Sequence, residues 1–203
     1  MAAQFVAMAA TPFVFLSCAG RDAIGLRPSS RPLWFIWGPL LGVFAAVVIG
    51  VTGILLFDWS PDNWYVSFGQ TMVRDPRLAE LTPVSLVIAL AVPAAVFSPI
   101  GEELFFRGLL VTTIEEAAGR TTAAASTAIS FGLVHVLHHG IAVTADGWQA
   151  LPLSGSIWFA LVVGLSLLFT LCRIRSGSIW PAVAAHSAIN IAMVIFIVLL
   201  WPH

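Results

Sequence analysis

The chain has 203 residues, of which 59% are hydrophobic and only 9% are charged. A soluble domain carries about 25% charged residues, so this composition excludes an ordinary soluble fold. The formal net charge of −1 gives no indication of a nucleic-acid partner. Because the apolar stretches are much longer than the strands of a transmembrane β-barrel, we predict an all-α, polytopic helical bundle in a lipid bilayer.

Six apolar segments are candidates to cross a bilayer, which needs about twenty residues. They cover residues 3–19, 33–57, 84–112, 121–138, 153–172 and 178–201. The first segment also resembles the apolar part of a secretory signal, but no Lys or Arg precedes it, which favours a helix. Gly119-Arg120 predicts a tight turn, and residues 58–81 form the longest connector. We predict a single integral membrane domain over residues 1–203.

The distribution of arginine favours six spans with both termini outside the cytoplasm. Two arginines then fall on the outer side, Arg74 and Arg77, and six fall on the inner side, as the positive-inside rule requires: Arg21, Arg27, Arg31, Arg120, Arg173 and Arg175. The third segment complicates this count, because residues 82–118 would form one helix about 55 Å long. Pro93 and Pro99 can kink it, or a break near Pro99 would give seven segments. Since all nine cationic residues are Arg in an Ala-rich chain, we expect a bacterial plasma membrane.

Two adjacent glutamates lie inside the third apolar segment, in Ser98-Pro-Ile-Gly-Glu102-Glu103-Leu-Phe-Phe-Arg107-Gly. Ionised groups at membrane depth are costly and are usually functional. Two neighbouring carboxylates cannot both ionise easily in a dry site, so one of them is suited to general acid–base catalysis. Arg107 follows Glu103 by four residues and can pair with it, which leaves Glu102 free to face another helix. The alternative is a solvated pair at the membrane interface.

His135 is predicted to lie at the same depth as the glutamates. It follows Gly119 by sixteen residues, and Glu103 precedes Gly119 by sixteen, so a hairpin turning at Gly119 brings them level. Phe131 is one turn before His135 and can form an aromatic wall beside the imidazole. The alternative is that His135 is only a hydrogen-bonded packing residue. His138 and His139 are expected at the interface, although His135-x-x-x-His139 also has the spacing of zinc ligands.

His186 and Asn190 are spaced by four residues, so they share one face of the last helix. Both side chains can donate hydrogen bonds in a water-poor cleft, where donors stabilise a tetrahedral oxyanion. The alternative is interhelical hydrogen bonding that only holds helices together, worth about 0.6 kcal/mol per pair.

The ordered set Glu102-Glu103-x-x-x-Arg107, Phe131-x-x-x-His135 and His186-x-x-x-Asn190 resembles the CPBP intramembrane protease family. This family comprises CAAX prenyl proteases and the bacterial Abi, or bacteriocin-processing, relatives. The resemblance covers a catalytic core at residues 84–195, and it adds nothing on residues 1–80. It implies hydrolysis of a peptide bond in a membrane-associated or prenylated peptide or protein.

The resemblance also implies roles for single residues. Glu102 and His135 would activate a water, His186 and Asn190 would hold the oxyanion, and Glu103 and Arg107 would support them. No cofactor is firmly implied, and a divalent metal such as zinc remains open beside a metal-free glutamate mechanism. Two other functions are open at this point, namely a non-catalytic scaffold or immunity protein and a proton-coupled transporter. Against the transporter, the sequence has no inverted repeat.

Overall fold

The fold is an all-α membrane bundle. The computed structural model describes residues 2–73, 78, 80–144 and 147–200. Its helices are α1 (Ala2–Phe15), α2 (Cys18–Ala23), α3 (Trp34–Phe57), α4 (Trp64–Val73), α5 (Pro83–Glu103), a π-helical segment (Leu104–Leu110), α6 (Val111–Ala118), α7 (Arg120–His135), α8 (Pro152–Ser176) and α9 (Trp180–Leu200). In the described part of the chain, the only strands form an antiparallel hairpin between α7 and α8, with β1 (Ile141–Thr144) paired to β2 (Gly147–Ala150).

Each of the six predicted spans coincides with helical structure, but the count of six is not confirmed. Among the described residues, four helices are long and apolar enough to cross a membrane: Trp34–Phe57, Pro83–Ala118, Pro152–Ser176 and Trp180–Val198. The first helix has 14 residues and α7 has 16, fewer than the twenty or so that a bilayer needs.

Residues 83–118 form one continuous helical rod, so the alternative of seven segments with a break near Pro99 is wrong. This helical stretch has 36 residues, and at 1.5 Å per residue its length along the axis is about 54 Å. Its excess length ends in α6, which carries Glu115 and Glu116. The predicted turn follows at Gly119, whose φ of +84° suits glycine.

The loops that carry most of the arginines lie at the same end of the bundle. Arg27 Nε donates to the carbonyl of Gly177 at 2.9 Å, and Arg173 Nη2 donates to the carbonyl of Ala23 at 3.0 Å. The segment before α3 is therefore docked on the turn between α8 and α9, as the predicted topology requires. Arg74 and Arg77, the two arginines predicted for the opposite side, lie outside the described residues.

Helices α3 and α9 approach closely through two glycines spaced by four residues. A Cβ atom added at Gly38 would lie 2.8 Å from the Pro181 carbonyl oxygen, and one at Gly42 would overlap the Ala185 carbonyl. Small residues at this spacing allow two membrane helices to pack with their backbones in contact. This contact fixes the part of α9 that immediately precedes His186.

The connector at residues 58–81 contains a helix, α4, that the sequence analysis did not predict. Its first residues are buried, with Trp64 fully so. The Tyr65 hydroxyl donates to the Ala46 carbonyl at 2.9 Å, and Trp64 Nε1 donates to the Ile49 carbonyl at 3.3 Å. Aromatic side chains with one polar atom thus dock α4 on α3 within the bundle.

Candidate active site

The two glutamates end α5 and are buried. Glu102 is 6% exposed and Glu103 is 0% exposed. Directly after them the α-helix gives way to the π-helical segment Leu104–Leu110, which carries Arg107. Such wide turns are rare and are found frequently at functional sites. The sequence analysis did not predict this one.

Glu103 is the centre of a buried ionic group. Its Oε1 atom lies 3.2 Å from Arg107 Nη1 and 2.8 Å from His186 Nδ1. Because a carboxylate oxygen only accepts in this contact, the proton of the His186 ring is placed on Nδ1. The predicted pair of Glu103 and Arg107 is present, and it joins the π-helical segment to α9 through His186.

The guanidinium of Arg107 is surrounded by aromatic rings. It lies 4.2 Å from the centroid of Phe131 and 5.1 Å from that of Phe169. None of its nitrogens has an aligned hydrogen-bond acceptor in the described part of the chain, although Nη1 is in ion-pair range of Glu103. The charge of Arg107 is therefore balanced by this ion contact and by cation–π attraction rather than by a bidentate hydrogen bond.

Glu102 faces His135 across the interface between α5 and α7. Its Oε1 atom accepts a 2.7 Å hydrogen bond from Ser98 Oγ, one turn earlier. Its Oε2 atom is buried without a hydrogen-bond partner in the described part and lies 3.8 Å from His135 Nε2. This distance is too long for a direct hydrogen bond. The predicted equal depth of the glutamates and His135 is therefore observed.

The backbone of α7 fixes the tautomer of His135. Its Nδ1 atom lies 2.8 Å from the carbonyl oxygen of Phe131, and a carbonyl can only accept. Nδ1 therefore carries the proton, and in the neutral ring Nε2 has a lone pair that points towards Glu102. The Phe131 ring lies beside the imidazole, with centroids 4.2 Å apart, as the spacing predicted.

Helix α8 positions both histidines. Trp158 Nε1 donates to the carbonyl of His135 at 2.9 Å, which fixes the end of α7. Phe169 stacks on the His186 ring, with centroids 4.7 Å apart and planes inclined by 12°. Helix α8, for which the sequence predicted no site residue, thus holds the backbone at His135 and the ring of His186.

Asn190 makes a different contact from the other predicted site residues. Its Nδ2 atom donates to the carbonyl of Ala94 on α5 at 2.9 Å. The amide nitrogen carries two protons, and this bond uses one of them. The structure therefore brings together Glu102, Glu103, Arg107, His135 and His186 by side-chain contacts, whereas Asn190 is tied to the backbone of α5.

Residues of metal-binding type do not cluster in the described part of the chain. In residues 2–73, 78, 80–144 and 147–200, no three His, Cys, Asp or Glu side chains converge closely enough to hold a metal ion. His139, which shares the zinc-type spacing with His135, is buried within the protein. Its Nδ1 atom lies 2.8 Å from Ser67 Oγ on α4. His139 therefore contacts α4, which explains its burial.

Three contacts at the site were missed by the sequence analysis. Ser98 precedes Glu102 by one helical turn, and that spacing was a usable signal. Trp158 bonds the backbone carbonyl of His135, and Phe169 stacks on the ring of His186. Neither of these contacts has a spacing pattern, because they join separate helices.

One comparison with known proteins identified a related family. The family described as type II CAAX prenyl endopeptidase Rce1-like matches residues 83–192, which is more than half of the chain. The matched region begins at α5 and ends within α9, so it contains all six predicted site residues. Comparisons with curated proteins and with solved structures gave no match.

Proposed function

The chain belongs to the type II CAAX prenyl endopeptidase Rce1-like family, and from this premise we propose that it cleaves its substrate with a water activated by Glu102 and His135. The family is one of CAAX-type intramembrane proteases, so the substrate is a peptide or protein in a membrane environment. We assign the catalytic core to residues 84–195, which the matched region supports. The substrate is a membrane-associated or prenylated polypeptide, and the protein resides in a bacterial plasma membrane.

The observation that carries this proposal is the pair of proton acceptors that face each other at 3.8 Å, Glu102 Oε2 and His135 Nε2. Because the Phe131 carbonyl holds the ring proton on Nδ1, both facing atoms have lone pairs. A water beside this pair can donate one hydrogen bond to each atom, and its oxygen is then directed at a peptide carbonyl. As that oxygen forms the new bond to carbon, Glu102 takes the proton and later delivers it to the nitrogen of the breaking C–N bond.

His186 is assigned to the negative oxygen of the tetrahedral intermediate. Its Nδ1–H is already donated to Glu103, so Nε2 can donate only when the ring carries a second proton. Glu103, whose Oε1 atom lies 2.8 Å from His186 Nδ1, is placed to balance the charge of that form. The second amide proton of Asn190 supplies a further donor.

Glu103 and Arg107 support this arrangement without contacting the reacting atoms. Glu103 compensates the charge of His186, and Arg107 compensates that of Glu103. Since three candidate ligands do not converge in the described part of the chain, we derive the reaction without a metal. Dialysis against a chelator tests this metal-free assignment.

The test is cleavage of a peptide library by the purified full chain in lipid nanodiscs. Glu102→Gln, His135→Ala and His186→Ala should each lower kcat by about 10²–10⁴-fold, because each removes a proton acceptor or a charge-stabilising donor. Ser126→Ala is the matched control, because its hydroxyl donates to carbonyls of its own helix, α7. A cooperative thermal unfolding transition will show whether each variant is folded. Turnover by Glu102→Gln at the wild-type rate would refute the assigned base.

A further inference from the structure

Pro99, about one turn before Glu102 in α5, leaves the carbonyl of Ala95 without its helical donor. Pro99 has no N–H, so the carbonyl of Ala95 cannot receive the usual bond from the residue four positions later. In the structure Ser187 Oγ on α9 donates to this carbonyl at 2.6 Å. An unpaired carbonyl costs several kcal/mol at membrane depth. The hydroxyl of Ser187 thus replaces the missing donor.

The same turn of α5 orients Glu102. Ser98, directly before Pro99, donates to Glu102 Oε1 at 2.7 Å, and the other oxygen of that carboxylate faces His135. A shift of the backbone at Pro99 therefore moves both the glutamate and the residue that fixes its rotamer.

Ser187 also directly follows His186 in α9. Two consecutive residues of α9 therefore contact α5 at different points: His186 binds the Glu103 side chain at 2.8 Å, and Ser187 binds the Ala95 carbonyl at 2.6 Å. This double contact fixes how far α9 is shifted along α5. It therefore sets the distance between the proposed oxyanion donor and the proposed base.

We propose that Ser187 is a positioning residue for the reaction, whose hydroxyl holds the Pro99 turn of α5 so that Glu102 faces His135. It contacts none of the reacting atoms. This inference rests on the proposed function, since it concerns the same site. A hydroxyl that merely held α5 to α9 would affect unfolding, whereas a positioning residue also affects the rate of the folded enzyme.

The experiment is a cycle of four proteins: wild type, Ser187→Ala, Pro99→Ala and the double variant. Ser187→Ala should lower kcat by about ten- to a hundredfold with KM changed less than about threefold, because small displacements of a catalytic group have effects of this size. The Pro99→Ala change restores an N–H that can bond the Ala95 carbonyl. In that background the same Ser187→Ala change should therefore lower kcat by less than about threefold.

Two further variants make the cycle specific. Ser187→Thr keeps the hydroxyl and should retain kcat within about threefold of wild type, as expected when the hydrogen bond rather than the side-chain volume matters. Ser126→Ala, which removes a hydroxyl bonded within α7, should match wild type. If Ser187→Ala does not fold, Ser187→Cys takes its place. Its thiol is a weaker donor, and the same dependence on residue 99 is expected.

Three results would overturn the inference. The first is a Ser187→Ala kcat within twofold of wild type, even with a lower Tm, because this is the behaviour of a group that only joins helices. The second is an equal loss of kcat whether proline or alanine occupies position 99. The third is wild-type turnover by Glu102→Gln, which removes the proposed base and the positioning role together. Loss of turnover in Glu102→Gln with normal turnover in Ser187→Ala would overturn the positioning role alone.

Discussion

Replacing Arg107 by Met should destabilise the protein strongly, because it removes the arginine that is paired with the buried Glu103. Both side chains are fully buried, and their closest atoms are 3.2 Å apart. Removing one partner of a buried ion pair costs about 3–5 kcal/mol. We expect the lower limit, because His186 Nδ1 still donates a hydrogen bond to the same carboxylate oxygen, at 2.8 Å. Met retains most of the side-chain volume, so the change mainly removes charge.

The assay is thermal unfolding of the purified chain in one detergent, monitored by the near-ultraviolet signal of its tryptophans. A protein of this size loses about 2–4 °C of Tm per kcal/mol, so a cost of about 3 kcal/mol lowers Tm by about 6–12 °C. The matched control is Arg120→Met, which breaks an ion pair with Glu115 whose side chains are 67% and 35% exposed. Exposed pairs contribute about 0–1 kcal/mol, so its Tm should fall by no more than about 4 °C.

A double variant separates lost charge balance from lost packing. Glu103→Gln combined with Arg107→Met removes the buried anion together with its cation, so it should recover more than half of the lost Tm. Turnover should stay low in the double variant, since the counter-ion of His186 is gone. Equal losses of Tm in Arg107→Met and Arg120→Met, or no recovery in the double variant, would refute this account of the ionic group.

Three other predictions concern the surroundings of the site. Gly42→Leu should separate α3 from α9 and abolish folding or cleavage, because its side chain would meet the Ala185 backbone. The control Gly164→Leu should be tolerated, since no atom lies within 4 Å of an added Cβ there. Equal losses of folding or cleavage in the two variants would contradict this prediction. Trp158→Phe keeps an aromatic ring but loses the donor to the His135 carbonyl. The value of kcat should therefore fall about three- to tenfold, which corresponds to roughly 1 kcal/mol. An unchanged kcat would exclude this role. Dialysis against phenanthroline should leave cleavage intact, whereas a loss restored by zinc alone would show that a metal takes part.

The depth of the polar residues was predictable from the sequence, because depth depends only on counting along continuous helices. Sixteen residues on either side of Gly119 brought the glutamates level with His135, and the contact between Glu102 and His135 confirms the count. The pairing of Glu103 with Arg107 followed in the same way from spacing by four. Residue spacing therefore predicted the part of the site that lies on two neighbouring helices.

The position of α4 was not predictable from the sequence, because it depends on a surface of α3 where glycines leave space for packing. A Cβ atom at Gly50 would lie 2.8 Å from the Tyr65 ring, and one at Gly53 would lie 2.8 Å from Asn63 Oδ1. The glycines of α3 are visible in the sequence, but no neighbouring residue pattern shows which segment of the chain packs against them. Residues 58–81 are polar enough to predict a loop, and only tertiary packing makes their aromatic residues a buried helix.

The different contacts of His186 and Asn190 show the limit of reasoning from a shared helix face. Spacing by four places both on one side of α9, but it also separates them by about 6 Å along the axis. Helices α5 and α9 are antiparallel, so moving from His186 to Asn190 moves the partner from Glu103 back to Ala94. One oxyanion can contact both donors only if it lies between these two levels. The proposed roles of His186 and Asn190 therefore predict a substrate carbonyl beyond His186 along α9, on the side of the Pro99 turn, where Ser187 contacts the backbone of α5.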